Sequence, residues 1–220
     1  ETHDDEASID AFNTGIDAGI NFVDTAHRYT YTPDFPANEL LIRRALEEYG
    51  WGAPLSAEDI VVATKGGHMF DVGHGDKDGR PQTIRKHAEE SLRALRTDCL
   101  DLYYLHWPDP AVPIEESMGA IEQLRLEGKV REVGVSNFDR DQLDRALLAG
   151  LEAHRGAAGD VQAHAARRRA VELQRRVGLG EVVVRADLDR PLRGVAHDQG
   201  QRAPPGVQRM RAVLHQQFAR

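Results

Sequence analysis

The sequence lacks the features that mark secreted, membrane-embedded or nucleic-acid-binding chains. It has one cysteine, Cys99, in 220 residues, so no internal disulfide can form, and we expect a cytoplasmic location. No apolar run approaches the ~20 residues that a membrane-spanning helix needs. The acidic N-terminus lacks the basic-then-apolar order of a signal peptide and an initiator Met, which suggests a processed or cut piece. The formal net charge of −8 gives no general reason to expect nucleic acid or an anionic membrane as a partner.

The last part of the chain also lacks whole residue types. Residues 151–220 contain no Ser, Thr, Asn, Lys, Ile, Tyr, Trp or Cys. Residues 1–150 hold 15 Lys and Arg against 29 Asp and Glu, whereas residues 151–220 hold 13 basic residues, all Arg, against 7 acidic ones. We therefore interpret residues 1–150 as one structural unit and residues 151–220 as an Arg/Ala/Gly-rich tail of unclear structure.

What is present in the first unit is an alternation of strand and helix patterns. Short apolar, β-branched runs predict strands at 21–24, 60–64, 100–105 and 130–135. Apolar residues at three- and four-residue spacing predict helices over 7–18, 38–49, 84–95, 114–124 and 139–149, with Thr83 as the cap of the third. Such repeated βα units predict a parallel α/β sheet, either an open doubly wound sheet or an eight-fold βα barrel. In the tail, residues 162–177 are compatible with a helix and residues 181–184 with a strand.

Functional groups follow each of the four predicted strands directly. In a parallel barrel all strand carboxyl ends share one face, and catalytic groups gather there. Tyr29 lies on the loop after the first strand. The strand ends themselves carry a carboxylate, an ammonium, an imidazole and a hydroxyl–amide pair, at Asp24, Lys65, His106 and Ser136-Asn137.

These groups suit the reduction of a carbonyl. A phenol with a pKa of about 10 is a poor acid, but a nearby ammonium such as Lys65 lowers that pKa. Asp24 would fix the ammonium, and the imidazole of His106 would hold the carbonyl oxygen beside the phenol of Tyr29. Side chains cannot supply hydride, so a nicotinamide cofactor would be required, and Ser136 with Asn137 suits its carboxamide.

The stretches NFVDTAHRY at 21–29, VVATKGG at 61–67, DLYYLHWPD at 101–109 and GKVREVGVSNF at 128–138 together resemble the aldo-keto reductases. The resemblance covers residues 7–150 and implies a (β/α)8 TIM-type barrel, NADPH as cofactor and small aldehydes or ketones as substrates. It implies that Tyr29 is the general acid of a catalytic tetrad whose other members are Asp24, Lys65 and His106. It further implies that Ser136 and Asn137 bind the nicotinamide carboxamide and that Trp107 lies beside the substrate pocket.

The sequence also departs from that family. The strand that precedes the first helix is missing, and Thr30 follows Tyr29 where many members have glycine. The glutamine, the stacking aromatic and the basic phosphate loop of the family's later strands have no counterpart in 151–220. We therefore expect an incomplete barrel, and we hypothesise that a frame change near codon 150 replaced its second half.

Two other functions remain open from the residues alone. One is a non-catalytic, NADPH-binding regulatory barrel subunit, and the other is an inactive truncated or frame-shifted relic, since an incomplete barrel leaves sheet edges and apolar helix faces bare. We expect no metal site, because the spacing of His68, His74 and His87 matches no metal-binding motif.

Overall fold

The computed structural model describes residues 4–29, 36–50, 60–69, 77–154 and 181–184. Helices and strands alternate along these segments. The helices are α1 (Asp5–Asp17), α2 (Ala37–Tyr49), α3 (Pro81–Leu95), α4 (Ile114–Leu126) and α5 (Arg140–His154). The strands are β1 (Phe22–Asp24), β2 (Val61–Gly66), β3 (Leu100–Leu105), β4 (Val130–Ser136) and β5 (Glu181–Val184). The predicted elements of the first unit are confirmed, with bounds that shift by a few residues.

The strands form one sheet in the order β1-β2-β3-β4-β5. Strands β1 to β4 pair in parallel, as the repeated βα units predict. Strand β5 pairs with β4 in the antiparallel direction, with Val133 opposite Val184. The strand predicted at 181–184 is therefore present but does not continue the parallel series. The helix predicted over 162–177 lies outside the described residues.

The main core lies between the sheet and the helices that connect its strands. Both faces of β2 and nearly all of β3 are buried, which explains why these strands read as continuous apolar runs. Tyr103, Ile84 and Leu46 fill the helix side of the sheet, and Ala63, Leu102 and Tyr104 form a smaller cluster with Phe22. Gly66 allows a close approach in this layer, because a Cβ there would lie 1.9 Å from the hydroxyl of Tyr103.

The start of α3 differs from the prediction. Thr83 is not the cap: Arg80 occupies that position with extended backbone, and Pro81 opens the helix. Proline suits the first helical position because its fixed φ is helical and its missing N–H has no partner there anyway. The hydroxyl of Thr83 instead donates a hydrogen bond to Asp78 Oδ2 at 2.8 Å. In the segments that the structure describes, no helix is long and apolar enough to cross a membrane.

Candidate active site

The carboxyl ends of β1 to β4 lie side by side at one edge of the sheet. Asp24 is the last residue of β1 and pairs with Ala63, while Lys65 near the end of β2 pairs with Tyr104. His106 directly follows β3, and its backbone N–H donates to the backbone carbonyl of Gly66 at 2.9 Å. Parallel pairing therefore gathers the predicted strand-end groups at one mouth.

Lys65 is the buried centre of this cluster. Lys65 is only 1% exposed, and its Nζ donates to Asp24 Oδ2 at 2.5 Å and to the backbone carbonyl of Thr25 at 3.1 Å. A buried ammonium is unfavourable unless an opposite charge and hydrogen bonds compensate for lost water, and Asp24 and Thr25 provide both. The same Nζ lies 5.2 Å from the centre of the Tyr29 ring. A fixed positive charge is thus held next to the phenol.

The loop after β1 presents Tyr29 to this charge. The N–H of His27 donates to the carbonyl of Lys65 at 3.0 Å, which ties the loop to β2. The N–H of Tyr29 donates to the carbonyl of Ala26 at 3.0 Å, and Tyr29 remains 38% exposed. Its ring meets that of His106 edge to face, with centroids 5.7 Å apart. The phenol ring therefore lies close to both the ammonium and the imidazole while Tyr29 stays accessible from solvent.

Ser136 and Asn137 stand at the end of β4 in a conformation that hydrogen bonds hold. Asn137 adopts φ of 61°, a left-handed conformation that asparagine tolerates better than most residues. Its Nδ2 donates to the carbonyl of His106 at 2.8 Å and to Ser136 Oγ at 3.0 Å. These bonds occupy the side-chain Nδ2 of Asn137. They leave its side-chain Oδ1 and the hydroxyl hydrogen of Ser136 for a ligand.

Trp107 lies beyond His106, where two further side chains join it. The ring of His68 meets His106 edge to face at 4.9 Å and Trp107 at 6.5 Å. The ammonium of Lys77 lies over the Trp107 ring, 4.6 Å from its centroid. Sequence reasoning did not select His68 or Lys77 for this site. The location of His68 just after the Lys65-Gly66-Gly67 strand end was a usable signal, whereas Lys77 is brought here by an antiparallel bridge to His68 that no local pattern predicts.

A second polar cluster, formed by His27, His87 and Glu90, lies behind the loop that carries Tyr29. The rings of His27 and His87 stack at 4.0 Å, and His27 Nε2 is 2.8 Å from Glu90 Oε2. The N–H of Gly67 donates to His87 Nδ1 at 3.2 Å, and burial lowers the pKa of His87 to about 3. The three residues offer donor atoms within 4.8 Å of one another. However, the rings are nearly parallel, at 11°, so their nitrogen lone pairs do not converge on one point as metal ligands do.

Comparison with known proteins identifies the same stretch. The Aldo/keto reductase family model matches residues 1–168, which extends past residue 150 where the motif resemblance stops. Aldo-keto reductase YhdN of Bacillus subtilis (strain 168) is 36% identical over 141 residues, which are 64% of this chain and 40% of that protein.

Solved structures that resemble this chain in fold are also similar to it in sequence. The glycerol dehydrogenase AKR11B4 from Gluconobacter oxydans has a TM-score of 0.56 and 33% identity, over 68% of this chain and 44% of that one. An aldo-keto reductase from Klebsiella pneumoniae, solved in complex with NADPH, has a TM-score of 0.50 and 30% identity, over 68% of this chain and 45% of that one. The chain thus spans less than half the length of each of these proteins.

Proposed function

The chain belongs to the aldo/keto reductase family, and from that premise we propose that it reduces small aldehydes and ketones with hydride from NADPH. The observation that carries the proposal is the buried, ion-paired Lys65, whose ammonium lies 5.2 Å from the Tyr29 ring, which in turn meets His106 edge to face. The parallel βα units of the chain form part of a (β/α)8 barrel of the kind that this family has. Because one cysteine gives no scope for disulfides, we also propose a cytoplasmic location.

In this proposal Tyr29 is the general acid. Its phenol donates a proton to the carbonyl oxygen of the substrate as that oxygen gains negative charge. Lys65 stabilises the phenolate that remains, and Asp24 keeps Lys65 charged and in position through the 2.5 Å contact. His106 lies edge-on to Tyr29 and donates a hydrogen bond to the same carbonyl oxygen, which holds the substrate for proton transfer.

The hydroxyl and amide at the end of β4 fit a carboxamide. A carboxamide has one acceptor oxygen and an NH₂ donor. Ser136 retains its hydroxyl hydrogen to donate, and Asn137 retains its carbonyl oxygen to accept, because the Asn137 Nδ2 is already engaged by His106 and Ser136. We therefore propose that Ser136 and Asn137 bind the nicotinamide carboxamide, and that Trp107 lines the substrate pocket. NADPH, when bound, supplies the hydride that no side chain can supply.

The test is replacement of Tyr29 by Phe in the full chain. We expect kcat for reduction of para-nitrobenzaldehyde to fall about 10²–10⁴-fold, because the proton donor is lost. The Kd for NADPH should stay within about twofold, since Tyr29 is assigned to proton transfer rather than to cofactor binding. Turnover is followed by the loss of NADPH absorbance, and binding by NADPH fluorescence. Tyr49→Phe is the matched control, because its hydroxyl donates to Asp17 on the helix side.

Other results would favour other functions. Equal activity of wild type and Tyr29→Phe would remove Tyr29 from the mechanism. Binding of NADPH without turnover by the wild type would support the regulatory-subunit alternative. A chain that neither binds NADPH nor unfolds cooperatively would support the inactive relic.

A further inference from the structure

The mouth of the candidate site carries a positive charge that the proposed reduction does not use. Lys77 is half-buried, and its ammonium lies 4.6 Å from the centre of the Trp107 ring. A cation over an indole face is attracted by the negative potential of the ring, which holds it in place while leaving its N–H donors available. Its backbone is fixed as well, since Lys77 forms an antiparallel bridge with His68.

Two described carboxylates close to this segment, Asp78 directly after Lys77 and Asp109 in contact with Gly79, are engaged by other groups. Asp78 pairs with Arg80 at 2.5 Å and accepts from Thr83 at 2.8 Å, and the Arg80 hydrogen bond lowers the pKa of Asp78 to about 2. Asp109 accepts from the N–H groups of Gly79 and Ala111 at 2.9 and 2.8 Å. Within the described segments no carboxylate lies within ion-pair distance of the Lys77 ammonium.

A series of ring contacts connects the ammonium to the groups assigned to the reacting carbonyl. Ring contacts run from Tyr29 to His106 and from His106 through His68 to Trp107, with Lys77 over the last ring. A substrate whose carbonyl lies between Tyr29 and His106 would extend over Trp107 and bring its far end to Lys77. We propose that Lys77 and Trp107 form a subsite for an anionic group, so that the preferred substrates are aldehydes or ketones carrying a carboxylate or a phosphate.

This inference rests on the proposed function for the location of the carbonyl, but its test does not require turnover. The probes are para-formylbenzoate, para-formylphenyl phosphate and the neutral, similarly shaped para-formylbenzamide. Their Kd values for the full chain are measured by titration calorimetry with the oxidised cofactor NADP⁺ present, so that no probe is reduced during the titration. We expect the two anions to bind about fivefold more tightly than the amide, the scale of a partly exposed ion pair. That preference should weaken as salt is added.

Three variants locate the charge responsible. Lys77→Met keeps an apolar stem over Trp107 and should abolish the preference for the anions, whereas Lys77→Arg should retain most of it. Lys86→Met is the matched control, because it removes one lysine charge from a 67% exposed site on α3 and should leave the preference intact. Thermal unfolding of all variants shows whether each remains folded. The tighter of the two anions identifies which acidic group the subsite accepts.

The outcomes separate the two proposals. Equal Kd values for the anions and the amide, no binding of any probe, or an anion preference that survives Lys77→Met would each overturn the anionic subsite. If a Lys77-dependent preference is found but no probe is reduced, the subsite stands and the reductase proposal falls. If the probes are reduced but the anions bind no more tightly than the amide, the reductase proposal stands and the subsite falls.

Discussion

The two faces of strand β2 hold buried ionisable groups in opposite ways. Lys65 points from β2 into the candidate site, is 1% exposed, and has a carboxylate partner 2.5 Å away in Asp24. The adjacent residue, Thr64, points to the other face, where its hydroxyl donates to Glu39 Oε1 at 2.5 Å. Glu39 is fully buried, and among the described residues the hydroxyls of Thr64 and Ser91, rather than a cation, face it.

The two faces differ in whether the buried group has a partner of opposite charge. Burial raises the pKa of Glu39 to about 7, and the hydrogen bond from the Thr64 hydroxyl lowers it by less than burial raises it. The carboxyl on the helix side is therefore neutral through the mildly acidic range, whereas Asp24 favours the charged form of Lys65. A buried carboxyl in the packed core can become neutral by taking up a proton. A site that stabilises a developing charge must keep its own charged group ionised.

Replacing Lys65 by Met is the change with the largest expected effect on this comparison. We expect kcat/KM for carbonyl reduction to fall about 10³-fold, because the charge that stabilises the Tyr29 phenolate disappears. Asp24 loses its cation, but its side chain is 28% exposed and water can solvate it. Steady-state kinetics with para-nitrobenzaldehyde measure the effect, with Lys86→Met as a charge-matched control. A Lys65→Met variant with wild-type kcat/KM would show that this face does not act through its charge.

Replacing Glu39 by Gln tests the other face through the pH dependence of stability. The carboxyl ionises near 4.5 when exposed and near 7 when folded, so the folded state binds more protons between these values. Stability should therefore fall as pH rises through this window, by roughly 3 kcal/mol in all. Glu39→Gln should remove this decline. Urea unfolding at about pH 5 and about pH 8 measures both slopes.

Glu48→Gln on the same helix, where the side chain is 44% exposed, is the control and should retain the wild-type slope. The slope of the wild type also includes His87, whose pKa is about 3 when folded and 6.5 when exposed. Its contribution is present above about pH 6.5 and is lost as pH falls towards 3. The difference between wild type and Glu39→Gln isolates the carboxyl. An identical pH dependence in the two proteins would mean that Glu39 is not neutralised by burial.

The sequence pattern predicted the face of the sheet that carries Lys65 better than the helix side that carries Glu39. Strand ends are visible as polar residues after apolar runs, so Asp24, Lys65 and His106 could be assigned to one edge before any geometry was known. Parallel pairing then brought them together, as the register of β1 to β4 confirms. Their roles in catalysis remain a prediction.

The residues that the sequence did not identify depend on contacts distant along the chain. Glu39 looked like an ordinary acidic residue in the first turn of a helix, because only packing against Thr64 and α3 reveals its burial. Lys77 reaches Trp107 through the bridge to His68. Thr83 was misassigned as the helix cap because a threonine hydroxyl suits that position, although the helix already begins at Pro81. The direction of β5 likewise depends on its pairing with β4, not on its valines.

Replacing Thr64 by Val has the smallest expected effect and separates the two faces most directly. Valine keeps the shape of Thr64 but removes the hydroxyl that donates to Glu39, which should destabilise the fold by about 1 kcal/mol at about pH 5. The cost should grow towards about pH 8, because an ionised carboxylate loses a stronger, charge-assisted hydrogen bond. Measured by urea unfolding, a cost that does not change with pH would contradict ionisation of Glu39 in this range. Because Thr64 points away from the mouth, kcat/KM should stay at the wild-type value, and a loss like that of Lys65→Met would show that the faces are coupled through the β2 backbone.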